Sequence, residues 1–367
     1  MKNKLTTALV SSLFGLGLSS VSVAQTTVSG NLDLTYHAVS QAASQTGGSY
    51  RAIGRETQIN LANKGKLSNG MEYAAGFSFE LDGGESLGHA TKNANNDSGN
   101  ATNENVYIDF LYNKDSYISI SNDHVPNSDV TITNLVGFSY LGGQGIGNLG
   151  STYPTSLNTS GYGIGISHNL GPVRISGTFV PNPDKDGAPI TETGHNLTSE
   201  SDTNANSRIE LIARGDLGVK GLDAFVAYAD QKKPSAGATI DATAKDPKGE
   251  RAGLKYNFGQ ITVAGDYIKT KGNNLTGSVI TTSADVELTG KSVGIAYAVT
   301  PTLSVGYTRS VADASKSTAS DEKVNMYAVG YNLGAVTIQA QVRDAKNVAG
   351  NPGVNGDVGA IKLSTKF

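Results

Sequence analysis

The chain has 367 residues with 45 glycines, no cysteine and no tryptophan, and a formal net charge of −3. Hydrophobic residues make up 38% and charged residues 17%, both below the ~45–50% and ~25% of ordinary soluble domains. That pairing excludes a charge-rich disordered chain. The faintly acidic balance argues against a nucleic-acid partner, which needs a basic stripe. The absence of cysteine removes disulfide frameworks, thiolate zinc sites and thiol nucleophiles together.

Lys2 and Lys4 precede a short apolar run, Ala8 to Leu18, and Ser22-Val23-Ala24 places small residues before Gln25. This is the pattern of a secretory signal peptide, 1–24, cleaved before Gln25. The run is too short for a membrane anchor, which needs about 20 apolar residues. No later stretch is long enough for a transmembrane helix, so a membrane location requires a closed barrel, where the strands themselves pair every backbone polar group.

The rest of the chain alternates with period two. Tyr73, Ala75, Phe77, Phe79 and Leu81 alternate with Ala74, Gly76, Ser78 and Glu80; Leu254, Tyr256 and Phe258 alternate with Gly253, Lys255 and Asn257. Such segments put one apolar and one small or polar face on opposite sides of a sheet. In chain order, sixteen strands are predicted near 27–38, 57–64, 71–81, 104–113, 116–124, 160–168, 172–181, 206–216, 221–231, 249–258, 260–270, 287–299, 302–312, 322–332, 335–343 and 356–367. Most approach the ~9–11 residues that a tilted strand needs to cross a bilayer.

Connections alternate in length. Asn169-Leu170-Gly171, Gly259-Gln260 and Asn332-Leu333-Gly334 are short, whereas 39–56, 82–103, 125–159, 182–205, 232–248 and 271–286 are long and polar. The prediction is an all-β, 16-stranded antiparallel transmembrane barrel with short periplasmic turns and long extracellular loops. Tyr36, Tyr73, Phe79, Phe110, Tyr112, Phe179, Tyr256, Phe258, Tyr267, Tyr297, Tyr307, Tyr331 and Phe367 fall mainly near strand ends, where aromatic rings form interfacial girdles. Glycines within strands, such as Gly253, Gly294 and Gly306, read as points of close approach or bending in the wall.

Several stretches resemble the Gram-negative general porins. Gln58–Glu80, with Gly65-Lys66-Leu67-Ser68-Asn69-Gly70-Met71-Glu72 and then Phe77-Ser78-Phe79-Glu80, is similar to that family's second strand, turn and third strand. Asn105–Asn122 resembles the next hairpin, and Val28-Ser29-Gly30-Asn31-Leu32-Asp33 the first strand. The last strand ends in Phe367, with Leu363 and Ile361 in phase. The resemblance implies a homotrimer in outer-membrane lipid, passive diffusion of small hydrophilic solutes and ions, a third loop (125–159) folded inward to narrow the lumen, and Phe367 as the signal read by the barrel-assembly machinery. Ser121 and Asn122 stand where the family usually has Gly-Arg. The third loop carries a single acid, Asp129, and Thr365 is polar where an apolar residue is commoner. The first two departures predict a weakly charged constriction.

Alternation assigns the lumen face a basic set, Lys64, Arg174, Arg208, Arg214, Arg251, Lys255, Arg343, Lys362 and Lys366, and an acidic set, Asp33, Glu72, Glu80, Asp109, Glu210, Asp223 and Asp266. The sets nearly cancel, so weak selectivity with a slight anion bias is expected, led by Arg174, Arg208 and Arg251. No cofactor is implied. His37, His89, His124, His168 and His195 lack metal-ligand spacing. An enzymatic barrel needs a Ser/His or Asp/His set on neighbouring strands. Ser167-His168 and Asp123-His124 are sequence neighbours that face opposite sides of the wall. The other readings are a loop-based adhesin or structural barrel, which would fill its lumen, and a substrate-specific channel.

Overall fold

The computed structural model describes residues 25–41, 49–80, 102–122, 132–133, 135–137, 162–181, 207–231, 246, 248–271, 287–315, 320–348 and 352–367. The predicted signal peptide, 1–24, lies outside them. Sixteen strands follow in chain order: β1 (Gln25–Gln41), β2 (Tyr50–Lys66), β3 (Glu72–Glu80), β4 (Thr102–Asn113), β5 (Ser116–Asn122), β6 (Tyr162–Leu170), β7 (Val173–Val180), β8 (Arg208–Gly215), β9 (Leu222–Gln231), β10 (Lys248–Phe258), β11 (Ile261–Lys271), β12 (Glu287–Ala298), β13 (Leu303–Ser315), β14 (Glu322–Asn332), β15 (Val336–Lys346) and β16 (Asn355–Lys366). Each pairs with its chain neighbours, and β1 pairs antiparallel with β16, so the sheet closes into a barrel without an edge.

All sixteen predicted strands are present. The largest departure is at the first hairpin. Pairing of β1 with β2 continues to Val39–Tyr50, so the connection predicted over 39–56 contracts to 42–49. The ladder continues because backbone groups bond regardless of side chain. Arg51, Gly54 and Arg55 interrupt the apolar alternation, and the sequence signal ends before the strand does.

Burial separates the two faces. On β14, Val324, Met326 and Ala328 are buried, while Tyr327, Val329 and Tyr331 between and beyond them are exposed. The outer face continues around the wall through Ile118, Ile120, Ile164, Ile166, Ile209, Leu211, Val293, Ile295, Val342 and Ile361, all exposed. At about 25 cal/mol per Å² of apolar surface, a belt of this extent facing water would be heavily penalised; facing lipid, it is not. Tyr36, Phe79, Tyr112, Phe179, Tyr256, Phe258, Tyr267, Tyr297, Tyr331 and Phe367 stand exposed on that same face. Among the described residues no helix is long and apolar enough to cross a membrane.

The short turns are tight. Gly259 bridges β10 and β11 at φ 75°, and Gly334 takes φ 86° between β14 and β15, its N–H donating to Asn332 Oδ1 at 2.8 Å. A side chain in this left-handed region would be strained. Closure is completed by the last residue. Phe367 N–H donates to Gly30 O (3.1 Å), Gly30 N–H donates to Phe367 O (2.8 Å), and the Phe367 ring lies where a side chain at Gly30 would stand. Thr365, polar on the outer face, donates its hydroxyl to Ala335 O at 2.9 Å, which satisfies it without water.

Candidate functional site

Residues directly opposed on antiparallel strands share a face. Register therefore carries the inward phase from strand to strand: Asp33 opposite Ser364, Lys64 opposite Ala74, Ala74 opposite Asp109, Arg174 opposite Arg214, Arg251 opposite Ile268, Gly253 opposite Asp266, and Arg343 opposite Val358. By this register Lys64, Glu72, Glu80, Asp109, Arg174, Arg208, Glu210, Arg214, Arg251, Lys255, Asp266, Arg343 and Lys362 all lie on the inner face, with Asp33, Asp223 and Lys366. Asp129 lies outside the described residues.

Inward placement does not make these charges equivalent. Arg208 and Glu210 form a 3.0 Å ion pair with side chains only 0% and 1% exposed. Arg251 grips Asp266 in a two-pronged pair and lies 5.6 Å over the Phe225 ring. Arg214 is bidentate to Asp223 (2.8 and 2.7 Å), and Lys255 joins the same carboxylate at 3.2 Å. Lys362 reaches Asp33 at 2.9 Å. Two-pronged arginine–carboxylate pairs fix both groups and leave little net charge. Of the three arginines expected to lead anion preference, two are thus neutralised by partners. Arg174 is exposed, stacked 5.6 Å over Tyr117 and donating through Nε to Asn169 Oδ1 at 3.0 Å.

Ile132, Thr133 and Val136, from the predicted third loop, lie against the inner wall across β9–β15. Ile132 packs on Phe225 and Ala227. Thr133 Oγ1 is 2.7 Å from Ser292 Oγ, and Thr308 donates to Thr133 O at 2.9 Å. Gln339 Nε2 donates to Val136 O at 2.8 Å. The wall beneath is glycine: a Cβ at Gly253 would meet Ile132 at 2.7 Å, at Gly294 Thr133 O at 2.2 Å, and at Gly306 Val136 at 2.7 Å. Side chains at these inward positions would occupy the seat; their omission allows backbone to approach the wall.

At the short-turn rim, β1–β5 and β7 line a widely open cavity of about 690 Å³ that includes Lys64, Glu72, Tyr107, Asp109, Tyr117 and Arg174. Tyr107 lies across Gly76, where a Cβ would come within 2.8 Å of its ring. Glu72 pairs with Lys66 at 3.4 Å. Among the described residues, no carboxylate lies within ion-pair distance of Lys64 or Arg174.

A family model for Gram-negative porins matches residues 6–350. The chain belongs to the Gram-negative porin family. This porin is a multi-pass outer-membrane β-barrel, and its fold and family are those of channels. Its structure is similar to the anion-selective porin from Comamonas acidovorans, with TM-score 0.65 and 14% identity over 94% of this chain and 100% of that one. It is also similar to a loop L8 deletion mutant of OmpT, an outer membrane protein of Vibrio cholerae, with TM-score 0.62 and 13% identity over 94% and 99%. A mutant of the Rh. blastica porin gives TM-score 0.57 and 14% identity over 93% and 100%. No curated protein sequence matches the chain. At these identities the likeness is one of fold.

Three features of the porin escaped the sequence reading. Tyr107 and Tyr117 are aromatic yet face inward, by register with Gly76 and Leu111; their phase, opposite to Ile108 and Ile118, was the available signal. The glycine seat was visible only as in-strand glycine, although Gly253, Gly294 and Gly306 share the inward phase of the charges. Ser167 and His168 do face opposite sides, but His168 Nδ1 meets Ser116 Oγ across the strand pair at 2.7 Å. Among the described residues no carboxylate orients that imidazole from behind, which a Ser–His nucleophile requires. The contact is a cross-strand tie.

Proposed function

We propose that this porin conducts small hydrophilic solutes and ions passively through a water-filled lumen, narrowed where the 125–159 loop folds inward, and that it works as a homotrimer. The observation that carries the reading is the seating of Thr133 and Val136 on the inner wall by hydrogen bonds to Ser292, Thr308 and Gln339. A loop fixed to one wall leaves the opposite side of the lumen for solutes, which move down their own gradients. Wall charges tied in pairs present local dipoles rather than net charge, and screening over about 8 Å at physiological ionic strength weakens what remains. Selectivity is therefore weak, with a slight anion bias from exposed cations such as Arg174.

The test is single-channel recording from the purified, folded barrel in planar bilayers. Step conductance that rises with salt, and a zero-current potential in a salt gradient that moves toward cation preference in Arg174→Glu, are expected. A folded barrel without conductance would overturn the reading and favour an adhesin or structural role.

A further inference from the structure

We propose that the periplasmic mouth of the lumen holds a binding subsite for small aromatic carboxylates bearing a ring hydroxyl. The proposal rests on the channel reading above and deepens it by naming a solute class. A cavity of about 690 Å³ falls within the ~300–1,000 Å³ of small-molecule sites, and its chemistry is uneven. Arg174 spends Nε on Asn169 and its face on Tyr117, and among the described residues no carboxylate lies within ion-pair distance of its terminal amino groups. Their planar fork matches a carboxylate's two oxygens. Lys64, exposed on the same cavity, adds a second cation without an acid partner among the described residues.

The aromatic requirement comes from Tyr107 and Tyr117, on adjacent strands β4 and β5. Small neighbours give their rings room: Gly76 lets Tyr107 lie against β3, and Ala74 and Ser119 flank Asp109 in register. Flat rings with an apolar face favour a flat ring in the solute. Asp109, the next inward residue after Tyr107 on β4, supplies an acceptor for a hydroxyl proton and repels a second carboxylate. Cations, rings and one acceptor together select a monocarboxylate on an aromatic ring with a hydroxyl donor, over a dicarboxylate or an uncharged ring.

Blockade of single-channel current by 4-hydroxybenzoate tests this, with cyclohexanecarboxylate and phenol as probes lacking the aromatic ring and the carboxylate. The 4-hydroxybenzoate should block at about tenfold lower concentration than either, and more strongly from the periplasmic side. Arg174→Gln and Lys64→Gln should each raise its half-blocking concentration about fivefold, as for one partly exposed charge pair, read against each variant's own unblocked current. Equal block by the three compounds, or an unchanged half-blocking concentration in Arg174→Gln, overturns the subsite and leaves the channel reading standing. Absence of conductance overturns the channel reading. Calorimetric titration of the detergent-solubilised barrel then decides the subsite: binding that Arg174→Gln weakens supports it, and no binding overturns it.

Discussion

Replacing Gly294 with valine tests whether the loop segment carrying Ile132, Thr133 and Val136 is held by fit to the inner wall. A Cβ at this position would stand 2.2 Å from Thr133 O and 3.2 Å from its carbonyl carbon, where ordinary contact begins at 3.4 Å. Both atoms belong to backbone, so the segment must withdraw by more than 1 Å. Thr308 then loses its 2.9 Å bond to Thr133 O, and the 2.7 Å Thr133–Ser292 contact stretches beyond hydrogen-bonding range. Two such bonds contribute about 1–3 kcal/mol net, a roughly 5- to 150-fold shift in how often the segment is seated. Pushed off the wall, it moves toward the barrel axis. Single-channel recording should therefore show lower mean conductance and greater open-channel noise in Gly294→Val. Gly359→Val, which adds a side chain where nothing lies within 4 Å on the outer face, should leave the current unchanged. Heat-modifiable migration on gels establishes that both barrels fold. A folded Gly294→Val porin with wild-type conductance and noise would refute the seating argument.

Further outcomes follow from the closure, the buried pairs and the leader. Deleting Phe367 removes both backbone bonds to Gly30 and the ring covering it; folded barrel in the outer-membrane fraction should fall and unfolded chain accumulate in the periplasm, and undiminished levels would contradict the assembly role. Arg251→Met leaves the 8%-exposed Asp266 without its two-pronged partner, at a cost of about 3–5 kcal/mol. The guanidinium unfolding midpoint should drop, and adding Asp266→Leu should recover most of it; a double variant as unstable as the single would show that the pair is not the cause. N-terminal sequencing of the outer-membrane protein should begin at Gln25 or within a few residues, whereas an intact Met1 chain in the inner membrane would rule out the predicted cleavage.

The barrel was legible in the sequence because each strand carries its own evidence. Alternation within ten residues states which side chains face lipid, and the alternating length of connections states the topology, so Leu254 with Tyr256 and Gly253 with Lys255 could be assigned to opposite faces without any partner strand. The first hairpin shows the limit of that signal: Arg51 and Arg55 break the pattern while the backbone ladder runs on to Val39–Tyr50. What each inward charge does was decided only by the closed barrel. Arg174, Arg208 and Arg251 have the same phase and the same guanidinium, yet Arg208 meets Glu210, Arg251 meets Asp266 and Phe225, and Arg174 rests on Tyr117 in an open cavity. Ser292, Thr308 and Gln339 likewise acquire meaning only where residues more than 150 positions earlier are laid across them. Local pattern is set by a period of two along one strand. Pairing and charge neutralisation depend on distances between strands, which exist only once the register of the whole sheet is closed.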